Sequence, residues 1–351
     1  MLNKDQHQHL DSQAIAIQAG RDVHITSSGL SYSEVVAIAQ DIFNSNFHRL
    51  SEPAMQIAEE RAKEITNDFL NKLQSENPNG LTKAQDPDFQ YALFSVQKQY
   101  ARVGDRDLGD LLVDLLVDRS KSDARDILQI VLNESLETAP KLTREQLACL
   151  SIMFLFKYTS NNNIGSHEVL GEYFDKMVLP FSPEIISNAA CYQHLEFTGC
   201  GSISLGSLSL EETLETKYPG LFRNGFDERS LADCDLNQEI RSRLIIKSLN
   251  DSSKLQINAI SKTVLDELLE KESINDVSRQ NISELFNEGK MSNEEVRNKC
   301  ISIRPYMEGV FQCWSESYMK SFTLTSVGIA IGHGNMKRLV GEFADLALWI
   351  N

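Results

Sequence analysis

Apolar side chains recur at steps of mostly three or four residues from Val35 to Leu73, through Ala39, Ile42, Phe47, Leu50, Ala54, Ile57, Ala62, Ile65 and Phe69. That is the spacing of one helix face, and at 3.6 residues per turn it carries a single apolar stripe over about eleven turns. Ser31 and Glu34 are placed as a capping box at its start. Pro53, with Ser51 ahead of it as a new N-cap, predicts a kink or a restart. A straight version would run about 60 Å at 1.5 Å per residue. Such a helix either braces the whole protein or packs against copies of itself.

Helical patterning continues beyond the breaker "SENPNG" at 75–80, over 86–103, 107–118, 122–138 and 143–158, with Thr143 and Gln146 as a further start signal. The run "LACLSIMFLF" at 147–156 is far short of the roughly 18 to 20 residues that span a bilayer, so it predicts a buried helix and no membrane span. After the polar loop "SNNNIGS" the patterns mix: a helix around 183–197, short strands with glycine turns in "FTGCGSISLGSLSL", and an aromatic loop in "KYPGLFRNGF". From 237 to 320 the reading is helical again, with Ser292 and Glu295 as an N-cap pair. The tail predicts strand, helix, strand, with Phe322 and Leu324 in the first strand and Leu346, Leu348 and Ile350 in the last, pairing with each other and with 197–207.

The expected fold class is therefore mainly α with minor β, ending in a small C-terminal α+β part. Five sections follow: a β-rung or hairpin with its linker (1–29), the long amphipathic helix (30–75), a helical bundle (82–160), a mixed subdomain (161–236), and a helical subdomain ending in strand–helix–strand (237–351). A chain of 351 residues suits two or three subdomains, and 41% apolar content suffices for folded cores. The net charge of −16 disfavours a grip on nucleic acid or anionic membrane through bulk charge. The opening "MLNKDQHQHL" lacks the apolar segment of a secretory signal, and six scattered cysteines without a C-x-x-C pair suit free thiols in a reducing cytoplasm.

Chemistry-bearing residues are sparse. Asp107, Asp110, Asp114 and Asp118 share one helix face, while Leu108, Leu111, Leu112 and Leu115 lie on others. Metal ligands converge from several elements, so this stripe is read as a solvated or partner-binding acidic face. "HQH" at 7–9 lacks further ligands, and His167, His194 and Cys200 lack a partner that would make a nucleophile and base. "GIAIGHGNMKR" places Gly328, Gly332 and Gly334 ahead of Lys337 and Arg338, but the spacing fits no phosphate loop. No cofactor or metal is expected, and no catalytic constellation is legible.

The most unusual stretch is "SQAIAIQAGRDVHI" at 12–25. Ile15, Ile17 and Ala19 share one strand face, Gly20-Arg21-Asp22 make a corner, and Val23 and Ile25 share the next face. It resembles one rung of the β-solenoid repeats of filamentous haemagglutinins, and it is similar to a tag found ahead of helical domains in bacterial proteins of phage defence or mobile elements. Its "IQAG" core also resembles short amyloid-signalling motifs. Burying four aliphatic side chains is worth roughly 6–10 kcal/mol, against about 20 kcal/mol for ordering the stretch. A lone rung cannot hold itself, so it pairs with a sheet of its own chain or stacks on other copies.

The expectation is a non-enzymatic, homo-oligomerising bacterial protein, a sensor or effector in phage defence by resemblance, assembling through Ile15, Ile17, Gly20, Val23 and Ile25 and meeting a protein partner through its body. The alternative is a DNA-associated transcriptional regulator. "FTLTSVG" resembles the strand-to-helix edge of winged-helix domains, and Lys337 and Arg338 would then meet nucleic acid.

Overall fold

The computed structural model describes residues 31–47, 50–121, 125–272, 274–341 and 343–350. The stretch 12–25, and with it the expected assembly residues, lies outside them. The chain is mainly helical, with four three-residue strands among the described residues. The order is α1 (Tyr32–Asn46), α2 (Glu52–Glu76), α3 (Pro87–Val103), α4 (Arg106–Ser120), α5 (Ile127–Thr138), α6 (Arg144–Tyr158), α7 (His167–Met177), α8 (Ala189–Phe197), β1 (Gly201–Ile203) and α9 (Leu210–Lys217). Then come α10 (Gln238–Leu244), β2 (Ile245–Lys247), β3 (Leu255–Ile257), α11 (Lys262–Lys271), α12 (Asp276–Asn287), α13 (Asn293–Ile303), α14 (Met307–Glu316), β4 (Phe322–Leu324) and α15 (Ser326–Val340).

Local chemistry sets many of these boundaries. Ser31 with Glu34, Thr143 with Gln146 and Ser292 with Glu295 all close the capping boxes their spacing predicts, and Ser209 with Glu212 adds a fourth. The long helix breaks into two, with the restart at Ser51 and Pro53 near the new N-terminus. The apolar face of α2 is consumed inside this chain: Ile65, Phe69 and Leu73 are buried with residues of α3 and α4 in the main core. Ile57 and Leu50, by contrast, remain about half exposed.

α6 and α15 cross at the centre. Every residue from Gln146 to Phe156 is buried, as is every residue from Gly328 to Met336. The three glycines of "GIAIGHG" let α15 pack closely on three sides, Gly332 against α6. A Cβ at Gly328 would lie 1.9 Å from the Cys200 carbonyl oxygen and one at Gly332 2.9 Å from that of Leu150, while one at Gly334 would crowd Leu111 and Leu115 of α4. They are packing glycines inside a helix.

Several expectations change, the first being that 237–320, expected helical, includes the antiparallel hairpin of β2 and β3. The helix expected from 183 begins at Ala189, where the Asn188 side chain caps the Ala190 amide; Pro183 sits in the irregular segment before it. The tail forms only one of its two strands. β4 pairs antiparallel with β1, Gly201 opposite Leu324, but 346–348 wind into a 3₁₀ turn capped by Asp345. Leu346 and Ile350 are nonetheless buried, and Leu348 is exposed.

The main core gathers residues from Val35 to Phe222 and again from Met291 to Ile350. Between them, residues from Phe226 to Phe286 close a second core of their own around the β2–β3 hairpin, α10, α11 and α12. The second core thus begins before the boundary expected at 236. Its two ends are clasped together. The Asn224 amide donates to the Gly289 carbonyl at 2.7 Å, Arg223 and Lys290 form an antiparallel bridge, and both basic side chains pair with Glu215.

Candidate functional site: a charge-lined cleft

α2, α4, α15 and residues 343–346 together face one recess. Between them lies a cleft of about 1060 Å³. α2 supplies Asp68, Lys72 and Glu76, α4 supplies Arg106, Asp110, Asp114 and Asp118, and α15 supplies His333, Lys337 and Arg338. The helical period explains the α4 set, because three of its aspartates fall on successive turns of one face.

That acidic face is not uniformly solvated. Asp107 and Asp110 are 42% and 45% exposed, whereas Asp118 is 11% and Asp114 only 1%. The deeper carboxylates interleave with lysines. Lys72 contacts Asp114 and lies 3.7 Å from Glu76, Lys121 is 2.6 Å from Asp118, and Lys337 bridges Glu76 at 3.0 Å and Asp118 at 3.3 Å. Burial pushes the Asp114 carboxyl above its usual range, against the pull of the Lys72 ammonium. Burial works against the charge on Lys337 too, but Asp118 and Glu76 outweigh it and hold the ammonium above the ordinary lysine value.

Two acceptors in this lining are left over. Asp114 Oδ1 meets Lys72, but Oδ2 is buried without a hydrogen-bond partner. His333 is 2% exposed and stands among the rings of Phe154, Phe343 and Trp349, at 5.5 to 5.8 Å between centroids. Its Nε2 lies 2.7 Å from the Ala344 carbonyl, which can only accept, so Nε2 carries the proton. Burial lowers the pKa of the ring and keeps it neutral, so Nδ1 presents a lone pair, and that atom is also buried without a partner. Leaving a buried acceptor unmet costs about 1–3 kcal/mol.

Lys337 and Arg338, expected at a nucleic-acid surface in the alternative reading, are side-chain 18% and 12% exposed and committed to carboxylates. Lys337 holds Glu76 and Asp118, and Arg338 holds Asp107 at 3.0 Å. Neither is free to meet a phosphate backbone. Cys200 is buried, and burial raises its thiol pKa. His167 and His194 bond the Leu221 carbonyl and the Gln146 side chain. All six cysteines are buried, and among the described residues no group of three or more His, Cys, Asp and Glu could hold a metal ion. No helix among them is long and apolar enough to cross a membrane.

Sequence reasoning found the α4 aspartates but missed Lys72, Glu76 and His333. Lys72 and Glu76 stand at i and i+4, which also marks any solvated helix. His333 was hidden inside a glycine-rich string.

Fold and cleft together define a mainly α-helical protein with a polar, charge-dense recess between three of its helices. A family model described only as ":-like" matches residues 29–350, and the chain belongs to that family. No curated protein and no solved structure matches it.

Proposed function

We propose that this chain is a non-enzymatic, homo-oligomeric binding protein, in which the cleft takes up a small polar ligand and residues 12–25 bring copies together. The observation that carries the binding reading is the cleft itself, about 1060 Å³ lined by charged side chains from three helices. A concave recess on which polar groups converge from several elements is the usual seat of a small ligand. The pairing of Lys337 with Glu76 and Asp118 supports binding over catalysis, since a lysine held charged makes a poor nucleophile or base.

The assembly reading is supported by position in the chain. The family match begins at residue 29, and the strand-like stretch stands ahead of it in the chain. In the phage-defence setting that its resemblance implies, ligand uptake is the signal and assembly the response.

Light scattering of the full chain tests assembly. Ile17→Asp with Val23→Asp should give a folded but smaller particle, and an unchanged mass overturns that half. A thermal-shift screen of small cations, anions and neutral polar compounds tests the cleft. Stabilisation abolished by Asp114→Asn supports it, and stabilisation indifferent to that change sinks it.

A further inference from the structure

We infer that residues 343–350 form a strap that acid releases, joining the two recesses that share it as a wall.

Phe343 and Ala344 line both the charged cleft and a second recess of about 620 Å³, whose lining also includes Tyr158, Tyr173 and Met177. The strap follows Gly341, the C-cap of α15, whose φ of +91° lies in the region that favours glycine. Beyond that hinge it joins no helix or sheet of the body, and its own backbone bonds close the 3₁₀ turn after Asp345. Among the described residues two hydrogen bonds fasten it. His333 Nε2 donates to the Ala344 carbonyl, and Trp349 Nε1 donates to the Tyr158 carbonyl at 2.8 Å. Leu346 and Ile350 are buried beside them. A segment held in this way can leave as a unit without unfolding a helix.

The switch is the ring that the strap covers. Of the rings standing around His333, Phe343 and Trp349 belong to the strap and Phe154 to α6. While the strap is seated, a second proton on the imidazole must go to Nδ1, which is buried and finds no partner. When the strap leaves, two of the covering rings go with it and Nδ1 meets water. The proton therefore binds the released form better, and acid favours release by linkage. The surrounding charges do not undo this. Burial outweighs the Ala344 bond and the carboxylates of Asp118 on α4 and Asp345 in the strap, which favour the imidazolium, and Lys337 on α15 adds to it.

Hydrogen exchange of the two tryptophan indoles, followed by NMR on the full chain, reads the strap against the core. Trp349 Nε1–H reports release. Trp314 Nε1–H, which donates to the Leu208 carbonyl at 2.9 Å from within the main core, reports the body. Relative to free indole at the same pH, protection at Trp349 should fall by up to about tenfold from pH 7 to pH 5.5. Protection at Trp314 should hold. His333→Gln keeps a donor for the Ala344 carbonyl but takes up no proton, and should abolish the fall. Gly341→Ala strains the hinge alone, because nothing stands within 4 Å of the added Cβ. It should lower protection at Trp349 already at pH 7 and spare Trp314. Protection at Trp349 indifferent to pH, a fall that Trp314 shares, or the same fall in His333→Gln each overturns the switch. Should His333→Gln not fold, Gly341→Ala decides, and unaltered protection at Trp349 in that variant overturns the strap.

Discussion

His333 Nε2 donates to the Ala344 carbonyl at 2.7 Å, and this bond ties α15 to the C-terminal segment 343–346 that helps line the cleft. The imidazole is buried and held neutral, its pKa below the ordinary value of 6.5. As pH falls through about 6.5 the unfolded chain protonates this group and the native one resists, so stability is present at neutral pH and lost on acidification. Each unit of depression is worth about 1.4 kcal/mol. His333→Phe should flatten the pH 5–7 slope of the urea midpoint; an unaltered slope would show that other groups set it.

Lys72 is the ion partner of a carboxylate that is 1% exposed. Lys72→Met should cost about 1–3 kcal/mol at pH 7, because it strands a buried charge. The loss should shrink toward pH 4, where the unpaired Asp114 takes up a proton in the native state. Urea melts of parent and variant at both values decide it, and a loss that does not change with pH would rule out a stranded charge.

Lys157 and Lys217 are pushed down to about 8 by burial. Lys217 Nζ donates to the carbonyls of Leu155, Phe156 and Thr159 at the C-terminus of α6, and Lys157 Nζ to that of Phe322. Between about pH 8 and the ordinary lysine value of 10.5, the unfolded state holds more protons than the native one. Stability should therefore rise with pH over that window. Lys217→Met should reduce the rise, read as a smaller gain in melting temperature from pH 8 to pH 10.

Gly328→Ala drives a methyl group to 1.9 Å from a backbone oxygen, and Gly332→Ala to 2.9 Å. Neither neighbour is a flexible side-chain end. Both should destabilise, by at least about 1–3 kcal/mol on the scale of overpacked cores, with Gly328→Ala the worse. Gly309, in α14, has open space where its Cβ would stand. Gly309→Ala should be stabilising by about 0.5–1 kcal/mol. Chemical denaturation of the three variants gives the order directly.

The helices were legible because their signals are local. Ser31 with Glu34 and Thr143 with Gln146 act within one turn, and the stripe from Val35 to Leu73 is a property of spacing alone. The tail misled for the converse reason. Leu346 and Ile350 do turn inward as their alternation suggests, but 346–348 wind into a 3₁₀ turn that Asp345 caps instead of joining the β1–β4 pair. The site was half legible. Asp110, Asp114 and Asp118 announce a shared face, yet nothing in that spacing says that Asp114 is sealed under Lys72 while Asp107 stays wet. That difference is made by α2 and α15, which approach from distant parts of the chain. Lys337 and Arg338 illustrate the same limit, since a basic pair beside glycines looks free until Glu76, Asp118 and Asp107 arrive beside it.

The clasp between Asn224 and Gly289 makes the segment from Phe226 to Phe286 an insertion in the architectural sense. The stumps where the chain leaves and rejoins the main core are already neighbours, and Ile260 of the segment also packs against that core. Excising the segment would leave its stumps to be joined by a short turn, and closing so short a gap adds little entropy. Arg223 and Lys290 would remain on either side of the suture to hold Glu215. The second core is thus a graft that the chain can enlarge, trim or exchange, leaving the cleft and the helices that frame it where they are.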